Sequence, residues 1–296
     1  MGAPDIDIVA DVKNGVGESP VWDTESQTLY WVDIPQAKIY NLDPSDGRIR
    51  EWRTPEMVAC IALRKGGGLL AGLESGVFAL DLRDDGNVDA VRLAVADHQA
   101  KPMRFNDGRC DRQGRFWAGT MHLDMSLNLP AGAVYRFDAR GLSAPQMDGL
   151  IVPNGMSWSP DGRTMYLSDS HPNVQTIWAY DYDTEDGVAT NRRLWIDMRD
   201  YPGRPDGAAV DADGCYWICG NDAGLVHRFT PDGKLDRSVP VPVKKPAMCA
   251  FGGKDLDTLY VTSIRPGGDL SDQPLAGGLF AFRPGVTGIA ETRFGG

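Results

Sequence analysis

The chain has 296 residues, 42% of them hydrophobic, with a formal net charge of −11. That balance argues against nucleic acid or an anionic membrane as partner, since both reward a basic face, and no apolar run approaches the roughly 18 residues of a membrane span. The length allows one large all-β domain or two smaller ones, and 35 glycines with 20 prolines suit many tight turns better than long helices.

In chain order, the first element is the apolar segment IDIVADV, too short to stand alone. After it one module recurs six times: an apolar strand, a polar turn rich in Asp or Gly, then a second strand. The turn and second strand read DTESQTLYWVD, RKGGGLLAGL, DRQGRFWAGT, SPDGRTMYLSD, DADGCYWICG and GGKDLDTLYVTS. Asp and Gly supply the turn conformations, and the aromatic and β-branched residues that follow favour a pleated strand. A third strand with period-2 alternation follows each time: AKIYNLDPSDG, SGVFALDLRDDG, GAVYRFDARG, TIWAYDYDTEDG, GLVHRFTPDGK and GGLFAFRPG. A repeat of about 40 to 50 residues matches a propeller blade of four strands. The expectation is an all-β chain forming a six-bladed β-propeller, with four antiparallel strands per blade and residues 1–296 as a single domain. A double-sheet sandwich is the rival arrangement, but it does not require sixfold regularity. IDIVADV is expected to pair with the last blade and close the ring.

Four stretches keep one register: GESPVW, FNDGRC, PNGMSW and PDGAAV. Each places an acid or amide four residues ahead of an equivalent position, giving Glu18, Asn106, Asn154 and Asp206; the second and sixth units have Ala59 and a position near Met248. Equivalent positions of successive blades lie on one circle, so these residues are expected to converge. Carboxylates and carboxamides facing one another in a funnel repel or go unpaired unless a cation sits between them. All-oxygen ligation suits Ca²⁺, Mg²⁺ or Mn²⁺, and Zn²⁺ is open with carboxylates. Any one Asp or Asn before Gly is also an ordinary turn residue; Glu18 is not a turn former.

The five cysteines, Cys60, Cys110, Cys215, Cys219 and Cys249, are odd in number and lack CxxC spacing, so buried free thiols are expected. The four histidines, His98, His122, His171 and His227, have no ligand spacing and read as packed or surface residues. With no leader pattern at the N-terminus, the cytoplasm is the expected location. The tryptophans Trp22, Trp31, Trp117, Trp158, Trp178 and Trp217 sit in strand contexts and read as inter-blade core. Asp33, Asp169 and Asn221 end strands; each either caps a turn or adds a polar shell at the funnel mouth. The polar connection MHLDMSLNLPAG borders the funnel and is a candidate lid.

The runs GESPVW with LYWVDIP, RFNDGRCDRQGRFWAGTM, PNGMSWSPDGRTMYLSDS, NRR, PDGAAVDADGCYWI, FGGKDLDTLYVTS and AGGLF resemble the SMP-30/gluconolactonase/LRE-like family, from about Ile8 to the C-terminus. The resemblance implies a six-bladed propeller with one divalent metal ion on its axis and hydrolysis of a sugar lactone to the aldonic acid. It assigns Glu18, Asn154 and Asp206 as metal ligands, and Arg104 with Asn106 as the substrate-binding pair. One departure stands out: regucalcin-like members carry a substrate-binding Glu shortly after GTM, where this chain has His122, Leu123 and Asp124. Sugar preference is expected to differ accordingly, with His122 or Asp124 supplying polar contacts.

A lactone is a cyclic ester, so opening it needs an attacking water, a polarised carbonyl and a stabilised oxyanion. No GxSxG elbow or Ser-His-Asp set is present, which favours direct attack by water over an acyl-enzyme. Asp206 is the expected general base, and Arg104 the group that holds sugar oxygens, unless it is spent on a blade-to-blade ion pair. Two rival readings remain: a phosphotriesterase- or arylesterase-type propeller hydrolase, and a calcium-binding or interaction propeller without turnover. The partner is expected to be a small-molecule sugar lactone, bound by a monomer or weak oligomer.

Overall fold

The computed structural model describes residues 4–295. Within them lie six four-stranded antiparallel blades, the third with an extra short strand. The innermost strands are Gly17–Asp23, Val58–Leu63, Met103–Cys110, Pro153–Trp158, Arg204–Val210 and Pro246–Gly252. Each packs against the next, and the last packs against the first, so the sheets form a ring. Asp7–Ala10 pairs antiparallel with Leu279–Phe282 and completes the sixth blade, as IDIVADV was expected to do.

Burial follows distance from the axis. The inner strands are covered on both faces by neighbouring blades, and Val58–Leu63, with sequence VACIAL, is buried throughout. The outermost strands face water along one edge. Arg48–Arg53 reads RIREWR and exposes all but Trp52, the charged-edge device that discourages further strand pairing. Aromatic rings fill the wedges between blades. Trp22 stacks on Tyr260 with ring centroids 5.7 Å apart, joining blades one and six; Trp117 meets Trp158 at 6.2 Å between blades three and four. Five of the six tryptophans named above are buried. Trp178 is half-buried instead, with the Arg192 guanidinium 4.0 Å from its ring centroid. All five cysteines are free and buried.

The C-terminal segment crosses the face of the ring opposite the inner-strand entries. Gly288 bridges Asp211 and Phe294 bridges Arg64, while Phe294 stacks on Phe137 at 5.6 Å. From this segment Glu291 reaches up to Arg109, with Oε1 3.0 Å from Nη1. The same guanidinium donates to Ala208 O at 2.7 Å. One arginine of blade three thus ties blade five and the tail together beneath the axis.

Candidate functional site

The four in-register donors lie at a shared irregularity. The inner strand slips its register between Glu18 and Val21, Phe105 and Gly108, Asn154 and Ser157, and Pro205 and Ala208. A bulge bends its strand and re-aims the side chains beside it, which frees these residues from the strand's simple alternation. Ser19 and Gly155, the residues after Glu18 and Asn154, have φ of +48° and +62°. At Gly155 a side chain has no room, because a Cβ there would lie 2.4 Å from Tyr216 Oη. Ser19 holds the same backbone shape with its hydroxyl oxygen accepting from Ile61 N at 2.9 Å.

Glu18, Asn106, Asn154 and Asp206 are all buried. Hydrogen bonds stitch them around the ring. Asn106 Nδ2 donates to Pro153 O at 3.0 Å, next to Asn154. Asn154 Nδ2 donates to Ser170 Oγ at 2.7 Å, and that hydroxyl donates to Pro205 O, next to Asp206. Asn221 Nδ2 donates to Asp206 Oδ2 at 2.6 Å. Because its amide nitrogen is anchored on Ser170, Asn154 is left with a buried Oδ1 that has no donor.

Acidic groups from separate blades act on one another here. Burial holds the Glu18 carboxyl well above the usual carboxylate range, and the negative charges of Asp206 and Asp107 push it further. Burial also pushes Asp206 up to about 7, against the bond from Asn221 and the charge of Arg204. Asp107 is raised by burial as well. Its Oδ2 accepts from Met156 N at 3.0 Å, while Oδ1 is buried without a partner. Sequence reading passed over Asp107 as the second letter of a turn. The available signal was that FNDG carries two polar residues at the bulge where PNG and PDG carry one.

Arg104 is half-buried beside these acids, and burial lowers its guanidinium to about 10, still charged at neutral pH. Its Nη1 donates to Phe105 O at 2.7 Å and to Asn106 Oδ1 at 2.8 Å. Among the described residues it makes no ion pair, so the blade-to-blade alternative does not hold. Asn106 therefore spends both ends of its amide, positioning Arg104 with one and fastening blade four with the other.

The residues after GTM lie differently. His122 is buried, with Nδ1 3.1 Å from the Asp124 N–H and Nε2 3.3 Å from Lys101 O. The Asp124 carboxylate caps a 3₁₀ turn at Met125–Leu127, accepting from Ser126 N at 3.0 Å. Among the described residues no hydrogen bond joins the Asp124 carboxylate to the axial donors. This loop is fastened to blade four where His171 Nε2 meets Met125 O at 3.2 Å. Asp33 and Asp169 cap entries to inner strands, accepting backbone N–H groups of Val16 and Val152. Asn221 alone of the three strand-end residues reaches an axial carboxylate.

Two raised carboxyls and an orphaned amide oxygen form a hard, anionic, all-oxygen set, which suits an oxygen-seeking divalent cation. Among the described residues no three of His, Cys, Asp and Glu gather to hold a metal by themselves; the Asn154 oxygen is a further oxygen donor beside the two carboxyls. A surface pocket of about 630 Å³ between the first and last blades, lined by Val9, Leu42, Tyr260 and Arg283 among others, lies on the outer rim and holds none of these donors.

Residues 16–265 match the model of the SMP-30/gluconolactonase/LRE-like region. The chain belongs to the SMP-30/gluconolactonase/LRE-like family. It is 42% identical over 285 residues to a 6-deoxy-6-sulfogluconolactonase of Pseudomonas putida, covering 95% of each chain. To human regucalcin it is 36% identical over 288 residues, again covering 95% of each. Among solved structures, a calcium-binding regucalcin of Agrobacterium tumefaciens superposes with a TM-score of 0.90 at 26% identity, covering 99% of this chain and 97% of the other. Family membership and the six-bladed ring agree with the resemblance drawn from the motifs.

Proposed function

We propose that this protein is a sugar lactonase that opens an aldonolactone to its aldonic acid at the axial funnel, with Glu18, Asn154 and Asp206 holding one divalent cation. Its family and its sulfogluconolactonase relative support a lactonase-type enzyme acting on a small sugar lactone. The observation that carries the cation is the buried, undonated Oδ1 of Asn154 beside two carboxyls raised by burial. A likeness to a calcium-binding regucalcin favours the same reading, with Ca²⁺, Mg²⁺, Mn²⁺ and Zn²⁺ as the ions to compare. Such an ion, when bound, supplies carbonyl polarisation and a lowered water pKa.

The chain's own groups do the rest. Asp206 Oδ2 is fixed by Asn221, which leaves Oδ1 to accept a proton from the attacking water. The water oxygen bonds to the carbonyl carbon to give a tetrahedral oxyanion; its collapse breaks the ring C–O bond, and the leaving alkoxide takes the proton that Asp206 had accepted, while the new carboxyl group ionises. The product is a carboxylate, and one proton is released. Arg104 Nε and Nη2 have no partner among the described residues and are free to hold sugar oxygens, in a direction set by the bond to Asn106. Five buried free thiols suit a reducing compartment, in keeping with a cytoplasmic placement.

The test is a pH-indicator assay over gluconolactone, its 6-deoxy-6-sulfonate, other aldonolactones, aryl esters and phosphotriesters, each after chelation and after adding back one divalent ion. Lactone opening that is lost on chelation and restored by a metal supports the reading. Turnover of aryl esters or phosphotriesters alone, or lactone opening indifferent to chelation, overturns it.

A further inference from the structure

Gly155 and Met156 stand at the bulge of the inner strand of blade four. The ladder pairs Asn154 with Ser168 and Ser157 with Tyr166, and pairs neither residue between them. Both are buried, and a buried peptide without partners costs free energy at its carbonyl and at its N–H. The two flanking blades supply those partners. Tyr216 Oη, from blade five, donates to Gly155 O at 2.7 Å. Asp107 Oδ2, from blade three, accepts from Met156 N at 3.0 Å. That carbonyl and that N–H belong to one peptide unit, so a single plane is gripped from both sides of its blade. Gly155, with φ of +62°, has no side chain to oppose rotation of the peptide that follows it; the grip is what fixes it. In blade one the matching peptide runs from Ser19 to Pro20 and has no N–H to hold.

Asn154 immediately precedes this gripped plane. Its Nδ2 is tethered to Ser170 Oγ, and its Oδ1 is the buried acceptor without a donor. The tether holds one end of the amide, and the grip holds the backbone that carries it. A carboxylate is drawn toward a cation by its charge, whereas a neutral amide oxygen depends on being in place beforehand.

We infer that Tyr216 and Asp107 are positioning residues for the cation site: by holding the Gly155–Met156 peptide from two blades, they set where Asn154 Oδ1 is presented. This rests on the reading of Glu18, Asn154 and Asp206 as cation ligands. The two residues act on the same peptide but differ in charge. Asp107 also contributes a negative charge that acts on Glu18 and Asp206, so its removal changes the field as well as the grip. Tyr216 is fully buried and neutral, and its hydroxyl is spent on Gly155, which makes it the cleaner probe.

Tyr216→Phe removes the hydroxyl and leaves the ring in place. The experiment titrates chelated wild type and Y216F with Ca²⁺, Mg²⁺, Mn²⁺ and Zn²⁺ in a calorimeter, well below the Tm of either protein. Y216F is expected to bind the preferred ion about tenfold more weakly, the low end for a supporting residue. Asp107→Ala is expected to lose at least as much. Because both residues act on one peptide, the double variant should lose less than the product of the two single losses. A hydroxyl with a purely structural role would lower the Tm in chelator and leave Kd unchanged; that result, or single losses that multiply in the double variant, overturns the inference. Should Asp107→Ala fail to fold, the Kd of Y216F decides alone. If the wild type binds none of the four ions, the cation reading fails by itself, and the crystal structure of chelated Y216F decides the rest. A turned Gly155–Met156 peptide with Asn154 Oδ1 displaced supports the positioning role; an unmoved Asn154 removes it.

Discussion

Asn221 reaches from the end of one strand of blade five to the start of its neighbour, placing Nδ2 2.6 Å from Oδ2 of Asp206. This bond fixes which carboxylate oxygen stays free, and Asn221→Ala is expected to let the carboxylate turn. Supporting residues of this kind typically cost about 10- to 100-fold in metal affinity or activity when removed. Calorimetric titration of N221A with a divalent ion, alongside its lactone turnover, checks the loss; Asn221→Asp should be worse, since it brings a like charge against Asp206.

Asn154 offers the sharpest test of the cation, because its free oxygen is the group the protein itself does not satisfy. A divalent ion at about 100 times its Kd should stabilise the wild type by about 2.7 kcal/mol. In Asn154→Ala that increment should shrink or vanish at the same ion concentration. Thermal unfolding with and without ion measures it, and an equal rise in Tm for both proteins would sink the assignment.

The raised carboxyls of Glu18, Asp107 and Asp206 predict a pH dependence for the chelated protein. Their folded pKa values lie above the unfolded ones, so the folded state binds more protons. The resulting stabilisation is fully present below the unfolded carboxylate pKa of about 4 and is lost as pH rises through the folded value, about 7 for Asp206. The Tm in chelator should fall between pH 5 and pH 8 by this term, and the gain from added ion should grow over the same interval. Asp206→Asn should flatten both trends.

Beneath the funnel, Glu291 and Arg109 form a pair whose side chains are 15% and 9% exposed. Glu291→Ala leaves a buried guanidinium with only neutral partners. Breaking a buried ion pair costs about 3 to 5 kcal/mol, and the contacts to Ala208 O and Ser157 Oγ should hold the loss near the lower end. Chemical denaturation of E291A against wild type reads it directly, and Glu291→Gln, which keeps a hydrogen-bonding oxygen, should lose less.

The ring was legible in the chain because each blade repeats the same turn chemistry, from DTESQTLYWVD to GGKDLDTLYVTS, and the donors because they keep one distance from a common strand position. What stayed hidden depends on where side chains point after a bulge. Asp107 reads as a turn residue, yet the register slip between Phe105 and Gly108 carries it inside. Asn221, Asp33 and Asp169 end strands alike, but only a carboxylate in reach of Asn221 distinguishes its role. Arg109 and Glu291 are 182 positions apart, and no local pattern joins a residue of blade three to the tail. Asp124 invited a substrate contact by its place after GTM; the structure shows its Oδ1 capping the turn that follows, a role its sequence position did not announce.

Among the described residues, the strand Asp7–Ala10 pairs only with Leu279–Phe282, more than 260 positions away. Until that pairing forms, the ring stands open between blades one and six. Glu18 on blade one meets Asp206 on blade five in a fixed geometry only once the circle is shut. Affinity for a divalent ion should consequently appear abruptly as the ring closes, rather than grow blade by blade.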